Sequence, residues 1–244
     1  MGFSTPAPEK RAMITETPLV IESLTNISHE PAEDSWNQIL AKATKDVESL
    51  LTQLEIPLSD LTKRQQACAD FPLLVPQPFI DKMNKGDAND PLLLQVLPQA
   101  SELEPAAGFI NDPLAEKNSN AQKGLIHKYH GRVLVLLSTG CAVNCRYCFR
   151  RHFPYQDNRI GKNDWQGILD YVEKDSSIEE LILSGGDPLM LNDQQLERFI
   201  KQAEAIPHLQ RLRIHTRLPI VIPQRITAQL VNTLFVVQDL GGGY

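Results

Sequence analysis

Long apolar runs are missing from the 244-residue sequence: the longest, such as Val133–Leu137, reach about five residues. A membrane-spanning helix needs roughly twenty, so no membrane partner is expected. A secretory leader is missing too, because the N-terminus MGFSTPAPEKRAMITETPLV has no apolar central region. It opens Met-Gly, yet Pro6 stands where a myristoylation signal wants Ser or Thr. Cysteine is scarce, at four residues, which excludes a disulfide scaffold. Positive charge is not in excess: 24 Lys plus Arg against 30 Asp plus Glu leave a net charge of −6. A general binder of nucleic acid or anionic membrane is therefore not expected. These absences leave a soluble, cytoplasmic protein as the expectation.

What is present supports a packed core, with 42% apolar and 22% charged residues. Residues 1–33, rich in Pro, Thr, Ser and Glu, read as a flexible leader. Ser35 then opens a helix, with Gln38 placed to complete a capping box. Trp36, Ile39, Leu40, Ala43, Val47, Leu50, Leu51 and Leu54 share one helical stripe. That spacing predicts a single helix ended by Pro57. Shorter helices are expected at Pro78–Met83 and Pro91–Val96, each introduced by a proline suited to a first turn. Residues 34–125 thus read as a helical N-terminal region. The pattern changes over 126–234. Short apolar strands at Val133–Ser138, Leu181–Ser184 and Leu212–His215 alternate with helices carrying Trp165, Ile168, Leu169 and Val172, then Leu196, Phe199, Ile200 and Ala203, then Ile226–Leu234. Alternation with short links means βα units on a parallel sheet, an α/β fold in which three units are visible.

The chemistry concentrates just after the first of these strands, in Cys141-Ala-Val-Asn-Cys145-Arg-Tyr-Cys148. Active sites of α/β sheets lie at this C-terminal end of the strands. Paired CxxC knuckles of a zinc ribbon are absent, and a ferredoxin-type run supplies four thiolates rather than three. Three thiolates would leave one iron of a [4Fe–4S] cluster open to a small molecule. An alternative is a Cys₃His zinc set made with His152, which the nearby Arg146, Arg150 and Arg151 could turn into an RNA-binding module. Cys68 stands apart and reads as a small buried hydrophobe. After the second strand comes Ser184-Gly185-Gly186-Asp187-Pro188. By itself it marks a tight turn. Beside a cluster loop, its glycines could let the backbone approach a ligand, and Asp187 could accept from an ammonium.

The cysteine spacing, with Tyr147 before the last cysteine, resembles the radical S-adenosylmethionine (SAM) superfamily. Lys-Tyr-His-Gly-Arg-Val-Leu before the loop, Cys-Arg-Tyr-Cys-Phe-Arg-Arg-His-Phe in it, and Arg213-Ile-His-Thr-Arg-Leu-Pro-Ile-Val-Ile-Pro-Gln-Arg-Ile-Thr227 are similar to the lysine 2,3-aminomutase family. Val75–Asn84, Asp90-Pro-Leu and Asn111-Asp-Pro-Leu resemble the bacterial branch that makes (R)-β-lysine for modifying elongation factor P. The resemblance implies part of a (βα)₆ radical SAM barrel, about half of it present. It implies a [4Fe–4S] cluster on Cys141, Cys145 and Cys148, with Gly185, Gly186, Asp187 and Tyr147 near SAM. It implies pyridoxal 5′-phosphate (PLP), its phosphate held by Tyr129 and Arg132, and Arg150 on the carboxylate of substrate L-lysine. His215 and Arg217 are expected on the SAM side. The implied reaction is a radical isomerisation of L-lysine to β-lysine. A 5′-deoxyadenosyl radical starts it, a reductant for the cluster feeds it, and the product passes to the elongation factor P pathway. No residue here is assigned as the lysine that binds PLP. The resemblance ends near Leu234, and residues 235–244 form a divergent tail. The expectation is therefore a C-terminally truncated, poorly stable member. An inactive remnant or another radical SAM enzyme is the alternative within this class.

Overall fold

Among the described residues, five strands make one sheet in sequence order: β1 (Asn120–Gln122), β2 (Leu125–Tyr129), β3 (Arg132–Ser138), β4 (Glu180–Gly185) and β5 (Arg211–Ile214). The computed structural model describes residues 35–105 and 107–235. The leader over 1–33 and the tail over 236–244 lie outside the described residues. β1 to β3 pair antiparallel, whereas β3 to β5 pair parallel. The three apolar segments of the sequence are the parallel half. Val133, Val135, Leu136 and Leu137 of β3 are all buried, as expected of a strand covered on both faces.

The antiparallel half corrects the sequence reading. The helical N-terminal region does not run to 125, because a hairpin begins at Asn120. These strands are three and five residues long, too short to display alternation. Gly131, at φ +77°, makes the turn from β2 into β3.

Helices α1 (Trp36–Ala41) and α2 (Val47–Gln53) replace the single helix expected over this stretch. The Ser35 capping box forms as expected: the Gln38 amide donates to Ser35 Oγ at 3.4 Å, and the Ser35 amide to Gln38 Oε1 at 2.7 Å. The break comes where Thr44 exchanges backbone hydrogen bonds with Val75, at 2.8 and 2.9 Å. Asp46 then takes an extended conformation and accepts from the Ser49 amide at 2.8 Å, starting α2 afresh. Ile39, Val47, Leu50, Leu51 and Leu54 stay buried across the break, so the stripe is real although the helix is not continuous.

Helix α3 (Leu61–Asp70) has no apolar stripe, only Ala67 being fully buried, and periodicity could not announce it. Helix α4 is the single turn Gln77–Ile80, and Leu93–Gln95 is a 3₁₀ turn rather than a helix. Asp90 accepts from the Leu92 and Leu93 amides at 2.8 and 3.0 Å and so starts that turn.

Two crossovers connect the parallel strands, α5 (Lys162–Lys174) and α6 (Asp193–Glu204). They meet through an edge-to-face contact of Trp165 with Phe199, centroids 5.6 Å apart. The short α7 (Leu218–Val221) and α8 (Ala228–Phe235) follow β5. Among the described residues β5 pairs with β4 alone. Among the described residues, too, no helix is long and apolar enough to cross a membrane.

Candidate metal centre

The cysteine loop leaves the C-terminal end of β3. Ala142 and Val143 inside it are buried and tie it to the core. Cys141, Cys145 and Cys148 line one cavity of about 400 Å³, together with Ser184–Asp187 at the end of β4 and His215–Leu218 after β5. Three consecutive strand ends therefore converge on one place. The cavity also takes in Tyr147, Arg150 and Tyr155.

The glycines have a packing role that the sequence did not suggest. Gly185 sits at φ +115°, and a Cβ there would overlap the Ser138 carbonyl oxygen. A Cβ on Gly186 would overlap the Gly140 backbone. The two turns are packed backbone to backbone, with the Gly186 amide donating to Ser138 O at 2.7 Å and the Asp187 amide to Gly140 O at 2.8 Å. This close approach between two parts of the chain demands glycine at both positions.

Asp187 also departs from expectation. It is buried, and its carboxylate accepts from the Leu189 amide (3.0 Å), Thr216 Oγ1 (2.7 Å), the Arg217 amide (2.7 Å) and the Leu218 amide (3.3 Å). With four donors in place it braces the β4 turn against the β5 loop and has little capacity left for an ammonium.

Arg150 is buried, and its fork is closed on a partner the sequence did not suggest. Nε and Nη2 donate to the two Glu116 oxygens at 2.7 Å each, and Nη1 donates to Ser184 Oγ at 3.2 Å. Glu116 thus holds the bidentate position that a substrate carboxylate was expected to take. Tyr129 and Arg132 are not in the cavity. They face each other where β2 turns into β3, with the Arg132 guanidinium 4.9 Å from the Tyr129 ring centre. Seven residues of β3, at ~3.3 Å each, put about 20 Å between them and the cysteine loop.

The loop's outer side is clamped to the N-terminal region. Arg146 donates through Nε and Nη2 to Glu102, and through Nη1 to Phe71 O at 2.6 Å. Arg151 donates to the same Glu102 at 2.8 Å and to Asp70 at 3.1 Å. The Arg146 amide donates to Gln95 O at 2.7 Å, and the Asn144 amide to Leu74 O at 3.1 Å. Burial would raise the Glu102 carboxyl, but the Arg146 guanidinium, the Gln99 amide and Arg151 hold it below the usual range. Tyr155 was also missed; its hydroxyl donates to Gly185 O at 2.7 Å. Gln95, Glu102 and Glu116 lie tens of residues from the loop in segments with no periodicity, so no local pattern could reveal them.

Burial, followed by the negative charge of Asp187 and by the other two cysteines, pushes the Cys141 thiol up to about 12, against the pull of Arg217. Burial raises Cys148 as well. Such burial favours the neutral thiol at Cys141 and Cys148; as thiolate ligands they need the positive charge of bound metal. A single zinc ion, ~2.3 Å from each sulfur, would require a tightly gathered set. Among the described residues no such group of three His, Cys, Asp or Glu exists. His152 is exposed and does not line the cavity, which disfavours the Cys₃His alternative. Three cysteines on the wall of one cavity suit a cluster that takes one thiolate per iron, and among the described residues no fourth cysteine lines it.

Comparison with known proteins agrees with this donor set. Residues 129–214 match a family model described as a 4Fe-4S single cluster domain. The chain is 54% identical over 202 residues to the L-lysine 2,3-aminomutase of Haemophilus influenzae, a match covering 83% of this chain and 60% of that protein. It is 51% identical over 203 residues to the L-lysine 2,3-aminomutase of Escherichia coli, covering 83% and 59%. Against the enzyme of that name from Clostridium subterminale it is 33% identical over 202 residues, covering 82% and 49%. The chain thus spans about 60% of the length of the two more similar relatives.

Proposed function

We propose, from the premise that this chain belongs to the lysine 2,3-aminomutase family of radical SAM proteins, that it carries the cluster and SAM portion of an isomerase converting L-lysine to β-lysine. The observation that carries this reading is the convergence of Cys141, Cys145 and Cys148 with the Ser184–Asp187 turn on one cavity at the strand ends. The three parallel strands and their helices would be consecutive units of a (βα)₆ barrel. When bound, the cluster supplies the electron that splits SAM into methionine and a 5′-deoxyadenosyl radical, and PLP supplies the group that carries the lysine amine.

This chain's residues divide the remaining work. Cys141, Cys145 and Cys148 would hold three irons. Gly185, Gly186 and Tyr147 line the cavity beside the cysteines, where SAM would lie. Arg150 would take the lysine carboxylate in place of Glu116, since one fork cannot serve two carboxylates. Tyr129 and Arg132 retain the PLP-phosphate role on resemblance alone, and their distance from the cavity speaks against their sharing it. Delivery of β-lysine to elongation factor P, in the cytoplasm, rests on the resemblance of the N-terminal segments.

Anaerobic reconstitution with iron and sulfide tests the reading. A brown protein that forms 5′-deoxyadenosine from SAM under dithionite, and loses this in Cys141→Ala, is the expected outcome. β-Lysine formed on adding PLP and L-lysine would extend it to the full reaction. A colourless protein that holds zinc in place of iron and sulfide would overturn it.

A further inference from the structure

We infer that Arg217 sets the electron affinity of the cluster by donating a charged hydrogen bond to the sulfur of Cys145. The inference rests on the proposed cluster but goes beyond it. It concerns a residue expected only to lie on the SAM side.

The guanidinium is built into one direction. Its Nη1 donates to Cys145 Sγ and, at 2.7 Å, to Tyr147 Oη. Nη2 donates to Gln95 Oε1 at 2.7 Å. The rings of Phe79 and Tyr147 lie 5.7 and 5.8 Å from the guanidinium carbon. Its main chain is equally fixed, because the Arg217 amide and the neighbouring Thr216 hydroxyl both donate to Asp187. Four separate parts of the chain therefore hold one permanent positive charge against one of the three cysteine sulfurs. Its partners are a neutral amide, a phenol and two aromatic faces, and none of these cancels the charge.

Such a charge has a definite effect on a bound cluster. One-electron reduction by a low-potential donor adds a negative charge to the iron–sulfur core and its thiolates, and nothing leaves. A cation donating to a ligand sulfur stabilises the reduced state more than the oxidised one. Arg217 should therefore raise the reduction potential. It acts through Cys145 rather than on a reacting atom, and so is a positioning residue for charge. Gln95, from the N-terminal region, aims it.

The test is the midpoint potential of the reconstituted full chain, followed by electron paramagnetic resonance in the absence of SAM. Iron per chain is measured beside it. Arg217→Gln is expected to load the same iron and titrate at a lower potential than the parent. Arg217→Lys, which keeps the charge without the fork, should fall between them. Gln95→Ala, which frees the guanidinium, should shift the same way by less. Should Arg217→Gln fail to fold, the Arg217→Lys and Gln95→Ala shifts decide. An unmoved potential in these variants overturns the inference and leaves the cluster reading intact. Loss of SAM affinity with an unmoved SAM-free potential would also overturn it, assigning Arg217 to SAM instead. Absence of a cluster from the parent chain would overturn the functional reading and this inference with it.

Discussion

The cysteine loop is held differently on its two sides. Toward the sheet, contact is backbone on backbone: Gly185 and Gly186 lie against Ser138 and Gly140, with amides donating to carbonyls across the gap. Toward the N-terminal region, contact is charge on charge, with Glu102 shared between Arg146 and Arg151, which stand on either side of Cys148. Backbone packing leaves no room for another side chain. An ion-pair clamp tolerates changes in shape but depends on the protonation of one carboxylate. The inner side therefore fixes where the sulfurs stand, and the outer side can be loosened by pH.

The largest expected effect is on the inner side. Gly186→Ala forces a Cβ into the Gly140 backbone and should cost about 3 kcal/mol or more. Urea unfolding would show it, and a variant as stable as the parent would erase the distinction between the two sides. Next comes Glu102→Ala, which strips the carboxylate from two guanidiniums whose side chains are 7% and 16% exposed. Breaking a buried pair costs about 3–5 kcal/mol; partial exposure of Glu102 brings the expectation to about 2 kcal/mol. A loss below that of an ordinary surface change would break the clamp.

Acid should separate the sides further. Glu102 is held below its ordinary value of 4.5. Asp90 is held below 3.8: burial would raise it, but the Asn84, Leu93 and Leu92 amides and the Asn84 side chain donate to it. A depressed folded value means that the stabilisation is complete above the unfolded value and is lost as pH falls through the folded one. Stability should thus be flat above about pH 5 and decline below 4.5, with part of the slope absent in Glu102→Gln. A slope unchanged in that variant would show that Glu102 does not govern the acid response. The smallest effect is expected for Lys85→Ala. Its pair with Glu55 is 65% and 66% exposed, and removing it should change stability by less than about 0.5 kcal/mol. A larger loss would mean that surface pairs count here as much as the clamp.

How much was legible follows the same division. The inner side was readable because its demands are local: a continuous apolar run makes β3, and a glycine pair ends β4. Even there one reason was hidden, since the glycines also pack against the Ser138–Gly140 backbone. The outer side was not readable. Arg146 and Arg151 carried no sign of their partners, which come from α3 and from the turn near Ala100–Leu103. The break between α1 and α2 was hidden for a similar reason, Thr44 being taken by Val75, thirty-one residues away.

The order of residues alone determined the three cysteines and their spacing, the parallel strands and the helices between them. Each follows from neighbours within a few positions, where periodicity and turn chemistry act. Tertiary structure alone decided which charges meet: Glu116 on Arg150, Glu102 on Arg146 and Arg151, Asp187 on the loop that aims Arg217. A carboxylate finds its guanidinium through space, and the chain between them carries no mark of the meeting.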